Sequence, residues 1–328
     1  MEIRLLFERD IRDLLGPKEA FEAVRDAFVR LSSGQAVLPG VINLEIPETR
    51  TEAHVKGAFL RTAPFFSIKA ASGSYDNPSR GLPVGGGLFL VFDATTGLPR
   101  AILFDNGYLT DVRTGAAGAL AADLLAKPRI ERVGVVGVGN QARYQLEALL
   151  HVRRPRRVLA YGRSPSKAEA YAREMSALHG IPVEAAASVE QAVRGADVVV
   201  TATPSTRPLV RAEWVLPGTH ITAIGSDGPE KQELDVQVLA KADKVVADHL
   251  EQCLRLGEIH HAVSSGVLRR EDVHAELGEI AAGLKAGRTS DEEITVADLT
   301  GVGVQDAAVA NRVVQGMLAR NLGTVLEV

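Results

Sequence analysis

The chain has 328 residues, 46% hydrophobic and 24% charged, with a net charge of −4; that is enough for two domains with sizeable cores, and its interspersed charges argue against nucleic acid as a partner. The single cysteine, Cys253, excludes an internal disulfide and suits a reducing, cytoplasmic setting. No apolar run approaches the ~20 residues of a membrane helix, and the start, MEIRLLFERDIRDLLG, carries charges through its apolar residues, unlike a signal peptide.

The first firm helix is predicted over residues 17–32, where Pro17 suits the first helical position and Ala20, Phe21, Val24, Ala27, Phe28 and Leu31 repeat at helical spacing. From 41 to about 105 the runs VINLEIP, HVKGAFL, FFSIKAAS, GGLFLVFD and RAILFD alternate with turn residues and predict an antiparallel or mixed sheet. A helix rich in small residues follows over 114–126, TGAAGALAADLLA, whose Ala and Gly imply close packing on a sheet. The cluster Arg153, Arg154, Arg156 and Arg157 reads as a solvated loop. After 131 the strands RVGVVG, RVLAYG, VEAAAS, DVVVTAT, HITAIG and KVVAD are interleaved with helices. Nearly all-apolar strands in β–α alternation predict a Rossmann-type, doubly wound parallel sheet with helices on both faces. The tail, TGVGVQDAAVANRVVQGMLARNLG, sets a glycine turn before a last long helix.

Within RVGVVGVGNQARYQLEALL, Gly137, Gly139 and Ala142 fit G-x-G-x-x-A. Gly137 allows a tight turn, Gly139 has no Cβ to block a pyrophosphate, and Ala142 lets the helix approach the strand. The helix start then offers free N–H groups to the phosphates. The second strand ends VLAYGRSPSK, where an NAD site would carry an Asp or Glu for the ribose hydroxyl. Arg163, Ser164 and Lys167 stand there instead, which favours the extra phosphate of NADP and leaves NAD possible.

Three side chains outside that motif are candidates for substrate chemistry. Lys69 closes the apolar run FFSIKAAS, where burial would lower its pKa and let it act as a base or bind a carboxylate. Arg113, before the small-residue helix, offers a fork for a carboxylate. Asp227 follows ITAIG at the carboxyl end of a parallel strand, where open α/β sheets bind ligands. The eight histidines show no metal-ligand spacing and read as solvated helix residues, so no metal is expected.

The segments DNGYLTDVRTGAAGALAADLLA, GVVGVGNQA, ITAIGSDGPEKQELD and DLTGVGVQDAA, in that order, resemble the ornithine cyclodeaminase/mu-crystallin family over essentially the whole chain. LEIPE, DNP and ILFDNGYLTDVRT look most like its ectoine-utilisation branch. The resemblance implies a homodimer formed through a substrate-binding and dimerisation domain, residues 1–113 with 305–328, and a Rossmann domain over 114–304. It implies that Lys69 and Arg113 engage the substrate's carboxylate and reacting carbon, with Lys69 and Asp227 catalytic. It places Arg113, Thr114, Gly137, Gly139, Asn140, Gln141, Ala142, Arg163, Ser164, Lys167, Thr203, Ser226, Val302 and Gly303 at the cofactor. Two positions depart from the family: Asn43 stands where many members carry a carboxylate-binding arginine, and Lys56 where ornithine cyclodeaminase has a glutamate for the distal amine. A cation at Lys56 would repel that amine and welcome a second carboxylate. The expected activity is hydride transfer to or from the nitrogen-bearing carbon of an amino or imino acid, foremost NADPH-dependent ketimine reduction. The alternatives are a cyclodeaminase, an alanine-dehydrogenase-like enzyme, or an NADPH-dependent binding protein like mu-crystallin.

Overall fold

The computed structural model describes residues 2–74 and 76–327, which form two compact units, 1–113 with 302–328 and 114–301. The chain re-enters the first unit at Val302 and not at Gln305 as expected, so Val302 and Gly303 belong with the first unit.

The first unit is built on a mixed sheet in the order Thr324–Glu327, Glu2–Phe7, Pro99–Phe104, Gly85–Asp93, Phe65–Ser74, Thr51–Leu60, Ala36–Val37, with Ile42–Ile46 paired to Thr51–Leu60. Only Glu2–Phe7 and Pro99–Phe104 run parallel; the other neighbours are antiparallel. Helix Pro17–Ser32 starts at its proline as predicted and buries Ala20, Val24, Ala27 and Phe28. It packs against the helix Gly303–Arg320, which also lies on the strands Thr51–Leu60 and Phe65–Ser74. In Phe65–Ser74 burial alternates, with Phe65, Ser67 and Lys69 facing inward. A lysine therefore occupies a core position.

The second unit carries an all-parallel sheet in the order Val183–Ala185, Arg157–Tyr161, Arg132–Val136, Val198–Thr201, His220–Ala223, Thr295–Asp298, Lys244–Ala247, Ala275–Glu276. The central strands are buried along their whole length, as expected of a parallel sheet covered on both faces.

Several expectations need correction. The small-residue helix begins at Tyr108, six residues early, because Asp105 caps it by accepting from Leu109 N–H at 2.9 Å. Its glycines seat it against another helix, Asn140–Val152: a Cβ on Gly115 would lie 2.7 Å from the Tyr144 carbonyl. His220 is not a solvated helix residue but lies buried in a strand, bonded to Thr295 and Thr222, where burial holds its imidazole down to about 3. Arg153 is bound, with Nη1 on Asp123 at 2.8 Å. Among the described residues no helix is long and apolar enough to cross a membrane.

Candidate active site

In the first unit, Lys69 is 4% exposed and Arg113 6% exposed, and both converge on Asp306 in the first turn of the Gly303–Arg320 helix. Asp306 Oδ1 accepts from Lys69 Nζ at 3.0 Å and from Arg113 Nε at 3.0 Å. Lys69 also reaches Thr110 Oγ1 at 3.3 Å, and Arg113 Nη1 donates to Gln305 Oε1 at 2.6 Å. Burial lowers the Lys69 ammonium to about 8; Asp306 resists that fall, and Arg113 and Lys56 add to it. Burial works against ionising Asp306, but Arg113 and then Lys69 hold its carboxyl below the usual range. The Oδ2 atom of Asp306 is buried without a hydrogen-bond partner among the described residues. Such an orphan acceptor costs about 1–3 kcal/mol when left unsatisfied.

Lys56 joins this group, lying directly opposite Lys69 in the antiparallel pairing. Asn43 lies apart from it, opposite His54, and its Oδ1 is 2.8 Å from His54 Nδ1. Val302 is buried where the Gly303–Arg320 helix starts, and a Cβ on Gly303 would sit 2.8 Å from the Gly57 carbonyl.

In the second unit the glycine turn follows Arg132–Val136. Gly137 has φ +111° and sits beside the Ala202 carbonyl, so no other residue fits there without strain. A Cβ on Gly139, by contrast, would meet nothing within 4 Å. The 13-residue helix Asn140–Val152 starts at Gly139 with no side-chain cap, and Ala142 is fully buried. An open cradle at an uncapped helix N-terminus fits a pyrophosphate. Arg143 stiffens the turn: its Nη1 donates to the Val138 and Gly139 carbonyls at 3.0 Å each, and its Nη2 pairs with Glu174 at 2.6 Å. Gly137 N–H also donates to the Tyr161 carbonyl at 2.9 Å, so the end of Arg157–Tyr161 lies beside the turn. Arg163 and Lys167 there are exposed and have no ion-pair partner among the described residues, while Ser164 Oγ is 3.0 Å from Ser166 Oγ. The first acid after that strand is Glu169.

Asp227 sits on an exposed loop after His220–Ala223 and pairs with Lys231 at 2.6 Å. Thr203 and the Gly225–Ser226 turn are tied together by Glu233, which composition alone would have placed on the surface. Its buried carboxylate accepts from Thr201 Oγ1 at 2.7 Å, Thr203 N–H at 2.6 Å, Thr203 Oγ1 at 2.7 Å and Gly225 N–H at 2.9 Å. Burial pushes it up to about 7 against those donors. Glu258 braces the next segment, accepting from the N–H groups of Glu233 at 2.8 Å and Leu234 at 3.1 Å. Thr114 contributes its carbonyl to Gln145 Nε2 at 2.8 Å, and Asn140 and Gln141 open the helix behind the glycine turn.

Sequence reasoning nominated Lys69 and Arg113, which the structure brings together on Asp306, and named none of Asp306, Glu233 and Arg143. The only available signal for Asp306 was its place in DLTGVGVQDAA, an acid in the first turn of a helix.

A parallel sheet with an open glycine turn at a helix start is the architecture of a dinucleotide-binding unit, and the other unit carries a pair of buried cations. The chain belongs to the ornithine cyclodeaminase/mu-crystallin family, whose sequence profile matches residues 2–321. It is an NAD(P)-dependent enzyme of that oxidoreductase and cyclodeaminase type, acting on C–N bonds. An archaeal alanine dehydrogenase dimer with bound NAD is 42% identical, with a TM-score of 0.93 over 100% of this chain and 99% of that one. The Δ1-pyrroline-2-carboxylate reductase of Thermococcus litoralis, solved with NADH and L-proline, is 33% identical, with a TM-score of 0.93 over 98% and 99% of the two chains. The iminosuccinate reductase of Paracoccus denitrificans, in complex with NAD+, is 32% identical, with a TM-score of 0.92 over 100% of each chain.

Proposed function

We propose that the protein is an NADPH-dependent imine reductase that converts a 2-imino acid to the amino acid. The observation that carries this reading is the pair of buried cations, Lys69 and Arg113, sharing one oxygen of Asp306 at 3.0 Å each. Arg113 grips the substrate's carboxylate as a guanidinium fork. Lys69, lowered to about 8 by burial, is poised near neutral pH to hold or release a proton at the adjacent nitrogen. The acid or base role is assigned to Asp227, which lies on an exposed loop of the second unit and pairs with Lys231 at 2.6 Å. When bound, the reduced nicotinamide supplies a hydride that forms a C–H bond at carbon 2, while the C=N electron pair moves to the protonated nitrogen. Gly137, Gly139, Asn140, Gln141, Ala142, Thr203 and Ser226 would hold the dinucleotide. Arg163, Ser164 and Lys167, with no acid before Glu169, favour the 2′-phosphate of NADPH over NADH. Thr114, Val302 and Gly303 complete the cofactor set. Relatives of this chain are named as imine reductases and one is a dimer, which supports a homodimer acting on a small amino or imino acid.

The test is oxidation of NADPH and of NADH by the purified chain with Δ1-pyrroline-2-carboxylate, and with 2-oxo acids in the presence of ammonium. NADPH consumption that is abolished in Lys69→Ala supports the reading. Conversion of ornithine to proline without net cofactor oxidation overturns it in favour of a cyclodeaminase, and turnover untouched by Lys69→Ala and Asp227→Asn removes the assigned roles.

A further inference from the structure

Resting on the reading of Asp227 as the acid or base, we infer that His261 is a positioning residue for that carboxylate, acting through Lys231 from the helix Glu258–Ser264. The Asp227 side chain is 57% exposed, whereas that of its partner Lys231 is 15% exposed. An exposed carboxylate keeps one place only if the cation beside it is fixed, and a lysine is fixed only as well as its own backbone. The Lys231 carbonyl supplies that anchor, because it takes Ser226 Oγ and also His261 Nε2, the latter at 2.8 Å. A carbonyl oxygen only accepts, so both partners donate and the His261 proton sits on Nε2. His261, expected on a solvated helix face, is therefore half-buried and bonded. Its neighbour His260 is engaged elsewhere, with Nδ1 3.1 Å from the Leu254 carbonyl.

The same helix grips the next two residues. Glu258 lies three positions before His261, and hence on the same face. Its carboxylate accepts from the N–H groups of Glu233 at 2.8 Å and Leu234 at 3.1 Å. The helix is itself seated by Asp298, whose Oδ2 accepts from Ile259 N–H at 2.9 Å. From the braced segment two side chains run in different directions. Lys231 reaches Asp227, while Glu233 reaches Thr203 and Gly225. His261 thus governs the branch that ends on the acid or base, and Glu258 the branch that ends on the loops assigned to the cofactor.

The experiment measures kcat, and NADPH affinity by fluorescence, for the full chain with Δ1-pyrroline-2-carboxylate and with pyruvate plus ammonium. His261→Leu should lower kcat by about tenfold or more with NADPH affinity little changed. His261→Gln, whose amide N–H reaches about as far as Nε2, should recover most of that loss. Adding His261→Leu to Asp227→Asn should slow the enzyme no further, since two residues on one path are not additive. If His261→Leu does not bind NADPH, His261→Asn takes its place, being polar but too short to reach the Lys231 carbonyl. Wild-type kcat in the variant, parallel losses of kcat and NADPH affinity, or losses that multiply in the double variant each overturn the inference and leave the role of Asp227 standing. Asp227→Asn as fast as the wild type, or no turnover by the wild type with either substrate, overturns both readings together.

Discussion

Asp306→Asn removes one negative charge from between two buried cations and changes almost nothing in shape. The lost attraction is large: at 3.0 Å each contact amounts to about 5 kcal/mol with an effective dielectric of ~20, an upper bound. Breaking a buried pair by removing one partner typically costs about 3–5 kcal/mol. Lys69 has an escape that Arg113 lacks, since it can shed its proton, so the loss should appear first in titration. Lys69 already stands at about 8 against an ordinary 10.5, with Asp306 the main group resisting the fall. In Asp306→Asn its pKa must drop further. The sign for stability follows: between about 8 and 10.5 the unfolded chain binds more protons at this site than the folded one, so this site's contribution rises with pH across that window. In the variant the rise begins at lower pH. The same shift moves the alkaline limb of kcat/KM to lower pH, because a neutral Lys69 can no longer hold a proton at the substrate nitrogen. Paired pH–rate profiles and thermal unfolding at several pH values measure both effects. An alkaline limb in the same place as the wild type's, with an unchanged KM for the imine, would show that Asp306 does not govern Lys69.

Arg163→Ala should weaken NADPH binding by about tenfold, the equivalent of one charged hydrogen bond of about 1.5 kcal/mol, while sparing NADH; titration with both cofactors checks this, and equal losses would contradict the phosphate assignment. Asp227→Asn should lower kcat by about 10²–10⁴ while NADPH still binds, as steady-state kinetics with a fluorescence titration would reveal. Glu233 titrates near 7 when folded against 4.5 ordinarily, so its contribution to stability falls as pH rises from about 4.5 to 7. Glu233→Gln should flatten that fall and raise the KM for NADPH by loosening Thr203 and Gly225. A melting curve with the wild type's pH slope would argue against it.

How much of this was legible in the sequence varies with the physics behind each element. The strands of the parallel sheet were readable because both their faces are buried: Arg132–Val136 and Arg157–Tyr161 fall within a residue of the runs RVGVVG and RVLAYG. The glycine turn was legible because the φ of Gly137 and the open space at Gly139 admit so few residue types. The edge of the mixed sheet was not: Glu2–Phe7 carries Glu2 and Arg4 among its apolar residues, and its partner Thr324–Glu327 lies at the far end of the chain. Lys69 could be nominated, since a lysine inside an apolar run is conspicuous, but its partner could not, because 237 residues separate it from Asp306. Glu233 and Glu258 looked like ordinary surface acids; only the fold shows their carboxylates spent on backbone N–H groups, those of Thr203 and of the short strand Gln232–Leu234 among them.

The most direct measurement uses NADPH carrying deuterium at the transferable position of C4, with oxaloacetate and ammonium as substrate and mass spectrometry of the product. Net imine reduction predicts one deuterium at carbon 2 of the amino acid for each NADPH oxidised, with no labelled product in Lys69→Ala. Amino acid lacking deuterium, or label that returns to the cofactor while ammonia is released from ornithine, would contradict it.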